Sequence, residues 1–212
     1  MNAIKISFLL FVFVFTTTYL SAQLGIRAGV SFSDQLIENN EYTEASGILG
    51  YSAGIMVEIK MSNRFAIQPE LHFIQKGAFI TEDDPFTGVE READYIINSL
   101  MLALMTRYDV VSFGESGSIY LSAVPFFSYG MDVLVKPEFG RVAGTSEFDQ
   151  SVKNRNVGWR RADYGIGAGL GIRFGGWVLD ARYNYGLANI ERRDIERESY
   201  SRVILIGLGY YF

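Results

Sequence analysis

Glu70 and His72 are the residues whose types and spacing come nearest to an acid-base pair. They stand two residues apart, and His72 is the single histidine of the chain. A histidine beside a carboxylate can act as a general base, but acyl transfer also requires a nucleophile and an orienting group within hydrogen-bond reach. The sequence fixes no serine near this pair and contains no cysteine. We therefore predict that the protein is not an enzyme, has no catalytic residues, and holds His72 in a polar network.

Acidic residues provide one conceivable metal site. The run Glu82-Asp83-Asp84 offers carboxylates that could bind calcium. It lacks the glycine-punctuated loop with ligands at fixed offsets that calcium-binding motifs use, so ordinary solvated loop charge is the favoured interpretation. The absence of cysteine excludes a thiolate metal site, and the single histidine leaves little room for a histidine-rich one, so zinc is disfavoured. The sequence thus predicts no metal and no cofactor.

The composition is that of a folded protein with a single domain. The 212 residues are 49% hydrophobic and 20% charged, which is too apolar for a disordered chain. The net charge is -5 and the pI is near 5.0. This acidic balance, without a basic stripe carrying interleaved aromatics, predicts that nucleic acid is not a partner.

Apolar and polar residues alternate with a period of two through the C-terminal part of the chain. Such alternation predicts β-strands rather than helices, and Gly175-Gly176 predicts a hairpin turn between two of them. In residues 161–174 one face is apolar and the other consists of glycine and charge. The apolar face is Tyr164, Ile166, Ala168, Leu170, Ile172 and Phe174, and the opposite face is Asp163, Gly165, Gly167, Gly169, Gly171 and Arg173.

Eight candidate strands emerge along the chain. Their connections alternate between long and short, which is typical of an outer-membrane barrel with both termini on the periplasmic side. Eight strands also suffice to close a barrel and remove exposed edges. Residues 95–108 are apolar on both faces, and the inward face of residues 118–133 is not assigned by their pattern. The strands are predicted at residues 24–33, 48–60, 65–80, 95–108, 118–133, 161–174, 177–187 and 203–212, with long loops at 34–47, 81–94, 134–160 and 189–198.

The first 22 residues read as a targeting segment. Lys5 supplies a positive charge, residues 6–15 form an apolar run, and Leu20-Ser21-Ala22 precedes Gln23. This pattern predicts a cleavable signal peptide over residues 1–22 and a barrel domain over residues 23–212. The alternative is an uncleaved anchor helix, because the apolar run approaches membrane-spanning length. No later stretch reaches that length, so a membrane location would require strands.

The same alternation could belong to a soluble lipocalin-like cup, whose apolar face lines a ligand cavity. A solvated face is usually dense in lysine and glutamate, whereas here four glycines lie between Asp163 and Arg173. Glycines suit a narrow lumen in which charged side chains need room. The sequence therefore predicts an all-β fold, an eight-stranded antiparallel up-and-down transmembrane β-barrel with its apolar face toward lipid. Interfacial aromatic girdles are predicted from Phe65, Phe174, Trp177, Tyr210 and Phe212 at one end and Phe32, Tyr51, Phe73, Tyr164 and Tyr185 at the other.

The charged residues on the polar faces would project into one lumen. Burial of so many charges is tolerable only if they pair, so we interpret them as a salt-bridge network that plugs the barrel. The alternative is a narrow, gated ion or proton path through the same residues. The predicted lumenal polar network comprises Arg27, Glu58, Glu70, His72, Lys76, Arg107, Asp163, Arg173, Asp180 and Arg182.

Several stretches of residues 21–212 carry a family resemblance. They are Ser21-Ala22-Gln23, Gly25-Ile26-Arg27-Ala28-Gly29-Val30, Gly54-Ile55-Met56-Val57-Glu58-Ile59, Phe65-Ala66-Ile67-Gln68-Pro69-Glu70-Leu71 with Gln75-Lys76-Gly77, and Gly169-Leu170-Gly171. In these stretches the chain resembles the PorT-like outer-membrane β-barrel proteins of Bacteroidetes. The chain departs from the family at Met101-Leu102-Ala103-Leu104, where a Glu-Ile-Pro-Leu run is frequent. The resemblance implies a barrel in the outer membrane of a Gram-negative bacterium, and the founding member is linked to protein secretion.

Residues and resemblance together predict a monomeric outer-membrane barrel with a structural or interaction role. Its partners would be outer-membrane lipid and possible envelope or secretion proteins. The alternative is a component of a protein secretion or envelope-assembly machine that acts through the periplasmic turns or the outer loops. A soluble ligand-binding barrel and a narrow channel are less favoured.

Overall fold

The computed structural model describes residues 22–38, 43–83, 90–114, 117–138, 152–153, 160–190 and 198–212. Within these residues the chain forms ten β-strands. No helix in this part of the chain is long and apolar enough to cross a membrane. The predicted signal peptide, apart from Ala22, lies outside the described residues.

Eight of the strands are long and two are short. The short strands are β2 (Thr43–Ser46) and β7 (Val152–Lys153). The long strands are β1 (Ala22–Glu38), β3 (Ile48–Lys60), β4 (Phe65–Asp83), β5 (Glu90–Phe113), β6 (Gly117–Glu138), β8 (Ala162–Phe174), β9 (Trp177–Gly186) and β10 (Glu198–Tyr211).

The long strands close into a ring in which every neighbour is antiparallel. The order is β1-β3-β4-β5-β6-β8-β9-β10, and β10 pairs back onto β1 from Gly25 opposite Tyr211 to Glu38 opposite Glu198. Strand β2 adds to β4, and β7 adds to β6. Closure leaves no long strand with an open edge, which is the condition for a sheet to cross hydrocarbon. The prediction of an eight-stranded antiparallel up-and-down barrel is confirmed.

The barrel places apolar side chains outside and polar side chains inside. In β8, Leu170 is 59% exposed and Asp163 is 3% exposed. Strand β6, whose inward face the sequence left unassigned, turns Ser118, Tyr120, Ser122, Val124, Phe126 and Ser128 inward. Strand β5 points Met101, Ala103 and Met105 into the barrel and Leu100, Leu102 and Leu104 outward, which explains why both of its faces are apolar.

The two ends of the barrel differ. The end that holds Gly25 and Tyr211 also holds three tight turns, and we call it the turn end. At the first turn, Met61 N and Ser62 N donate to Phe65 O at 2.9 and 3.0 Å. The other two contain Gly114 and Gly175, whose φ angles of 62° and 59° favour glycine. The opposite end, which carries the long connections, is the loop end.

Several strands extend further toward the loop end than predicted. The predicted loops 34–47, 81–94 and 134–160 overlap strand at 34–38, 43–46, 81–83, 90–94, 134–138 and 152–153, so these loop boundaries were wrong. Strand β5 has 24 residues, whereas a tilted strand needs roughly 9 to 11 to cross the hydrocarbon. The residues added toward the loop end include many charged ones, such as Glu82, Asp83 and Glu90, so the sequence there lacks the alternation that predicted the rest of each strand.

Polar and aromatic pairs delimit the apolar outer belt. Toward the loop end, Arg202 Nε and Nη2 each donate to the Asp34 carboxylate at 2.8 Å on the outer face. At the turn end, the rings of Trp177 and Tyr210 have centroids 4.9 Å apart, and those of Tyr210 and Phe212 are 5.5 Å apart. Aromatic rings suit the membrane interface because they combine an apolar body with a polar edge.

Candidate functional site

The interior of the barrel is the candidate site, since the ten charged residues predicted for the lumen are all buried there, each less than a tenth exposed. Sequence reasoning missed an eleventh, Asp109, which follows Arg107 on the same face but lies beyond the predicted strand end. With Asp109 included, the buried Lys, Arg, Asp and Glu residues of the described chain balance. The cations are Arg27, Lys76, Arg107, Arg173 and Arg182, and the carboxylates are Glu58, Glu70, Asp109, Asp163 and Asp180.

The middle of the lumen contains a cluster from three strands, which we call the middle cluster: Arg27, Glu70, His72, Asp180 and Arg182. Arg182 donates to both oxygens of Glu70 at 2.6 and 3.0 Å and to Asp180 Oδ2 at 3.0 Å. Arg27 pairs with the other oxygen of Asp180. His72 Nε2 lies 2.7 Å from Glu70 Oε2. Two arginines and two carboxylates therefore neutralise one another across the lumen.

A second group, the turn-end cluster, comprises Glu58, Arg107, Asp109 and Arg173. Arg173 Nη1 lies 2.5 and 2.8 Å from the two oxygens of Glu58, which also pairs with Arg107. Arg107 Nε lies 3.1 Å from Asp109 Oδ1. Arg173 Nη2 donates to Gln23 Oε1 at 2.9 Å, which connects β1 to β8. Glu58 is thus shared by two guanidinium groups.

The third charged group, the loop-end pair, joins Lys76 to Asp163. Lys76 Nζ lies 2.5 Å from Asp163 Oδ2, and Ser201 Oγ donates to the same oxygen at 2.7 Å. The three residues come from β4, β8 and β10. This pair closes the charged part of the lumen toward the long connections.

Two tyrosines connect the middle cluster to the turn end. Tyr120 Oη donates to Asp180 Oδ2 at 3.1 Å. Tyr211 donates to Gln68, which in turn donates to Glu70. Both tyrosines are at most 4% exposed. Their hydroxyl groups extend the polar network, and their rings fill the space between the charged clusters.

The faces of the same two rings contact the turn-end cluster. The guanidinium of Arg107 lies 5.5 Å from the ring centroid of Tyr120, and that of Arg173 lies 5.0 Å from the centroid of Tyr211. These distances are within the range of cation–π attraction. The two arginines are therefore held from both sides, by carboxylates and by aromatic rings.

An apolar cluster fills the lumen beside the middle cluster and above it. On β4, Ile74 lies between His72 of the middle cluster and Lys76 of the loop-end pair. The cluster consists of Ile74, Met101, Ala103, Met105, Val124, Phe126, Val203 and Leu205.

Inward glycines provide the space that these large side chains occupy. A Cβ on Gly171 would meet the ring of Tyr120, and a Cβ on Gly207 would meet the guanidinium of Arg27. Strand β8 has four such inward glycines between Asp163 and Arg173. A small barrel is just wide enough for side chains to fill. Gly171 and Gly207 each leave room for a large side chain of the adjacent strand, since β6 pairs with β8 and β1 pairs with β10.

The geometry around His72 does not assemble a catalytic site. Its hydrogen-bond partner is Glu70, which is itself held by Arg182. In the described residues no hydrogen bond joins His72 to a serine, the contact that would activate a hydroxyl nucleophile. No group of three or more His, Asp or Glu residues there could hold a metal ion. The conceivable calcium run at residues 82–84 lies outside the side chains that the structure describes.

Comparison with known proteins identifies similar barrels. The family model described as "Outer membrane protein beta-barrel domain" matches residues 16–192. No curated protein matches. Among solved structures, OprG from Pseudomonas aeruginosa aligns with a TM-score of 0.51 at 12% identity, covering 91% of this chain and 97% of OprG. Neisserial surface protein A aligns at 0.48 and 14% identity, covering 91% and 99%. Ail of Yersinia pestis aligns at 0.45 and 13%, covering 90% and 99%. These likenesses concern the fold.

Proposed function

Because this chain belongs to the outer membrane protein β-barrel domain family, we propose that it serves the outer membrane as a closed, non-conducting barrel with a structural or interaction role. Its location is the outer membrane of a Gram-negative bacterium, as for the outer membrane protein OprG. Barrels of this type are generally non-enzymatic, and no described group of residues has the arrangement of a catalytic site.

The pairing of the lumenal charges is the observation that carries this proposal. Every buried cation of the described chain has a carboxylate partner, and the groups have equal numbers of both signs. Buried charges that lack a partner are costly, whereas paired ones can be retained. A permeating ion would have to separate these pairs, so the network acts as a plug. This interpretation is favoured over the gated ion or proton path.

The apolar cluster supports the same conclusion independently. It includes Phe126, Leu205 and Ile74, and Ile74 lies on β4 between His72 of the middle cluster and Lys76 of the loop-end pair. Apolar constrictions exclude ions by dewetting. The apolar cluster and the paired charges both favour a lumen that does not conduct ions.

Reconstitution in planar lipid bilayers tests the closed lumen. We expect the purified protein to show no steady conductance, and a sixteen-stranded porin inserted in the same way serves as the positive control. Migration that changes on heating in detergent gels would establish that the inserted protein is folded. Stable open channels of porin size would overturn the proposal.

An interaction role is supported by the paired backbone that continues beyond the apolar belt. Strands β4 and β5 stay in register from Phe65 opposite Tyr108 to Asp83 opposite Glu90, well past the level of Phe73. A rigid wall of this kind can present the long connections to partners outside the lipid. We propose that the protein is monomeric in the membrane and contacts partners through this end.

The alternative, membership of a secretion or envelope-assembly machine, follows from the resemblance to the PorT-like proteins of Bacteroidetes. Crosslinking in cells followed by purification in detergent separates the two functions. A stand-alone barrel should bring down lipid and little else, whereas a machine component should bring down the same envelope proteins reproducibly.

The non-enzymatic proposal is tested at His72. The variant His72→Ala should leave the acylation pattern of lipid A unchanged when measured by mass spectrometry of whole cells. The variant His72→Gln, which keeps a hydrogen bond to Glu70, controls for loss of the fold. An altered acylation pattern in both variants would instead support an enzymatic role for the protein.

A further inference from the structure

A polar cavity of about 490 Å³ opens at the turn end of the barrel. Its walls come from the ends of β3, β5, β6 and β8 and from the turn residues Met61, Ser62, Asn63 and Gly114. Unlike the outer belt, it is lined mainly by charged and hydroxyl-bearing side chains. They include Lys60, Ser62, Arg107, Ser112, Ser118 and Arg173. We call this space the turn-end cavity.

The charges at this cavity do not balance, in contrast to the rest of the lumen. Three cations, Lys60, Arg107 and Arg173, line it together with one carboxylate, Asp109. Glu58 lies beneath them and supplies the second negative charge. Among the described residues one positive charge therefore remains in excess, and a concave site with protein walls concentrates its field.

The cations differ in how firmly they are held. Arg107 and Arg173 are each less than a tenth exposed and are fixed by Glu58. Lys60 is different, because its side chain is 47% exposed and its Nζ lies 4.0 Å from Glu58 Oε1. The site thus combines two buried arginines that are fixed by ion pairs with one exposed lysine, Lys60, whose side chain can adjust to a ligand. Preorganised groups lose little side-chain entropy when a ligand binds.

We propose that the turn-end cavity binds a small soluble ligand through an oxyanion group, a phosphate or a carboxylate. Lys60 contacts the oxyanion directly, the arginines stabilise its charge, and the hydroxyls of Ser112 and Ser118 supply hydrogen bonds. The cavity opens along the barrel axis, so its ligand comes from water rather than from the bilayer. This ligand site goes beyond the closed, structural barrel and does not require the lumen to open.

Titration of the mature protein in nanodiscs with sodium phosphate and with sodium citrate tests the site. Ionic strength is held constant with sodium chloride, and binding is followed by backbone amide chemical shifts. We expect saturable shifts at the turn-end cavity with at least one of the two anions. Lys60→Gln should weaken that binding about tenfold, because a hydrogen bond to a charged group is lost.

Arg64→Gln is the matched control. Arg64 is an exposed cation of the same turn that does not line the cavity. The Arg64→Gln variant should bind the anion with an affinity within about twofold of that of the wild type. Heat-modifiable migration verifies that both variants fold. The proposal is overturned if neither anion gives saturable shifts, or if the two substitutions weaken binding equally, since that would indicate unspecific screening.

Discussion

Glu70 and Arg182 form a two-pronged ion pair between opposite walls of the barrel. The pair joins Arg182 Nη1 to Glu70 Oε2 at 2.6 Å and Arg182 Nη2 to Glu70 Oε1 at 3.0 Å. Glu70 belongs to β4 and Arg182 to β9, which are four strands apart in either direction around the ring. The pair therefore spans the full width of the lumen. Arg173 of β8 and Glu58 of β3 are related in the same way.

Removal of one partner of this pair should be strongly destabilising. Glu70→Ala leaves the buried Arg182 charge with incomplete compensation, and we expect a loss of about 3–5 kcal/mol in the free energy of unfolding. This loss can be measured by urea unfolding in lipid vesicles, with tryptophan fluorescence as the signal. Asp34→Ala is the control, because it breaks the partly exposed pair with Arg202 and should cost at most about 1 kcal/mol. Equal costs for the two variants would contradict the buried network.

The inward glycines should be intolerant of even one methyl group where a large side chain faces them. In Gly171→Ala the new Cβ would meet the Tyr120 ring and lie 2.7 Å from Asp180 Cβ. Tyr120 would have to move and lose its hydrogen bond to Asp180. We expect a loss of about 1–3 kcal/mol in the same unfolding assay.

Gly130→Ala provides the comparison for this substitution. Its new Cβ would lie 3.3 Å from Ile97 Cγ2, a contact that a small shift of the methyl group relieves. The change in the free energy of unfolding should stay within about 1 kcal/mol. If Gly171→Ala proved as mild as Gly130→Ala, the tight packing of Tyr120 would be refuted.

The assignment of the two faces can be checked with single cysteines, because the chain has none of its own. Leu121 is 56% exposed on the outer face of β6, and the next residue, Ser122, is 8% exposed toward the lumen. A nitroxide label on Leu121→Cys should collide readily with oxygen, which dissolves in the hydrocarbon. On Ser122→Cys the label should be shielded. Electron paramagnetic resonance in nanodiscs measures both, and the reverse order would place the apolar face inside.

Processing of the N-terminus is the fourth prediction. If residues 1–22 are a signal peptide, the protein purified from membranes begins at Gln23, which intact-mass spectrometry detects directly. Ala22→Tyr should block cleavage, because the signal peptidase requires a small residue there. A native mass that still includes residues 1–22 would favour the anchor helix.

The sequence was sufficient for the eight long strands and for the direction of the faces in most of them, although it left the inward face of β6 unassigned and did not predict the short strands β2 and β7. In residues 161–174 and 203–212 the period of two separates lipid-facing from lumen-facing side chains, and the bounds of β3 agree at both ends with residues 48–60. These properties are local, because successive side chains on a strand point in opposite directions and lipid accepts only the apolar ones.

Only the tertiary structure shows which charged residues pair with one another across the lumen. Sequence alternation places Glu70 and Arg182 inside, but their contact depends on the register of every intervening strand pair and on closure between β1 and β10. The same holds for Asp109, whose charge completes the balance, and for Tyr120, which fills the space above Gly171. The outward extension of β5 also needed the structure, because paired backbone in water requires no apolar face.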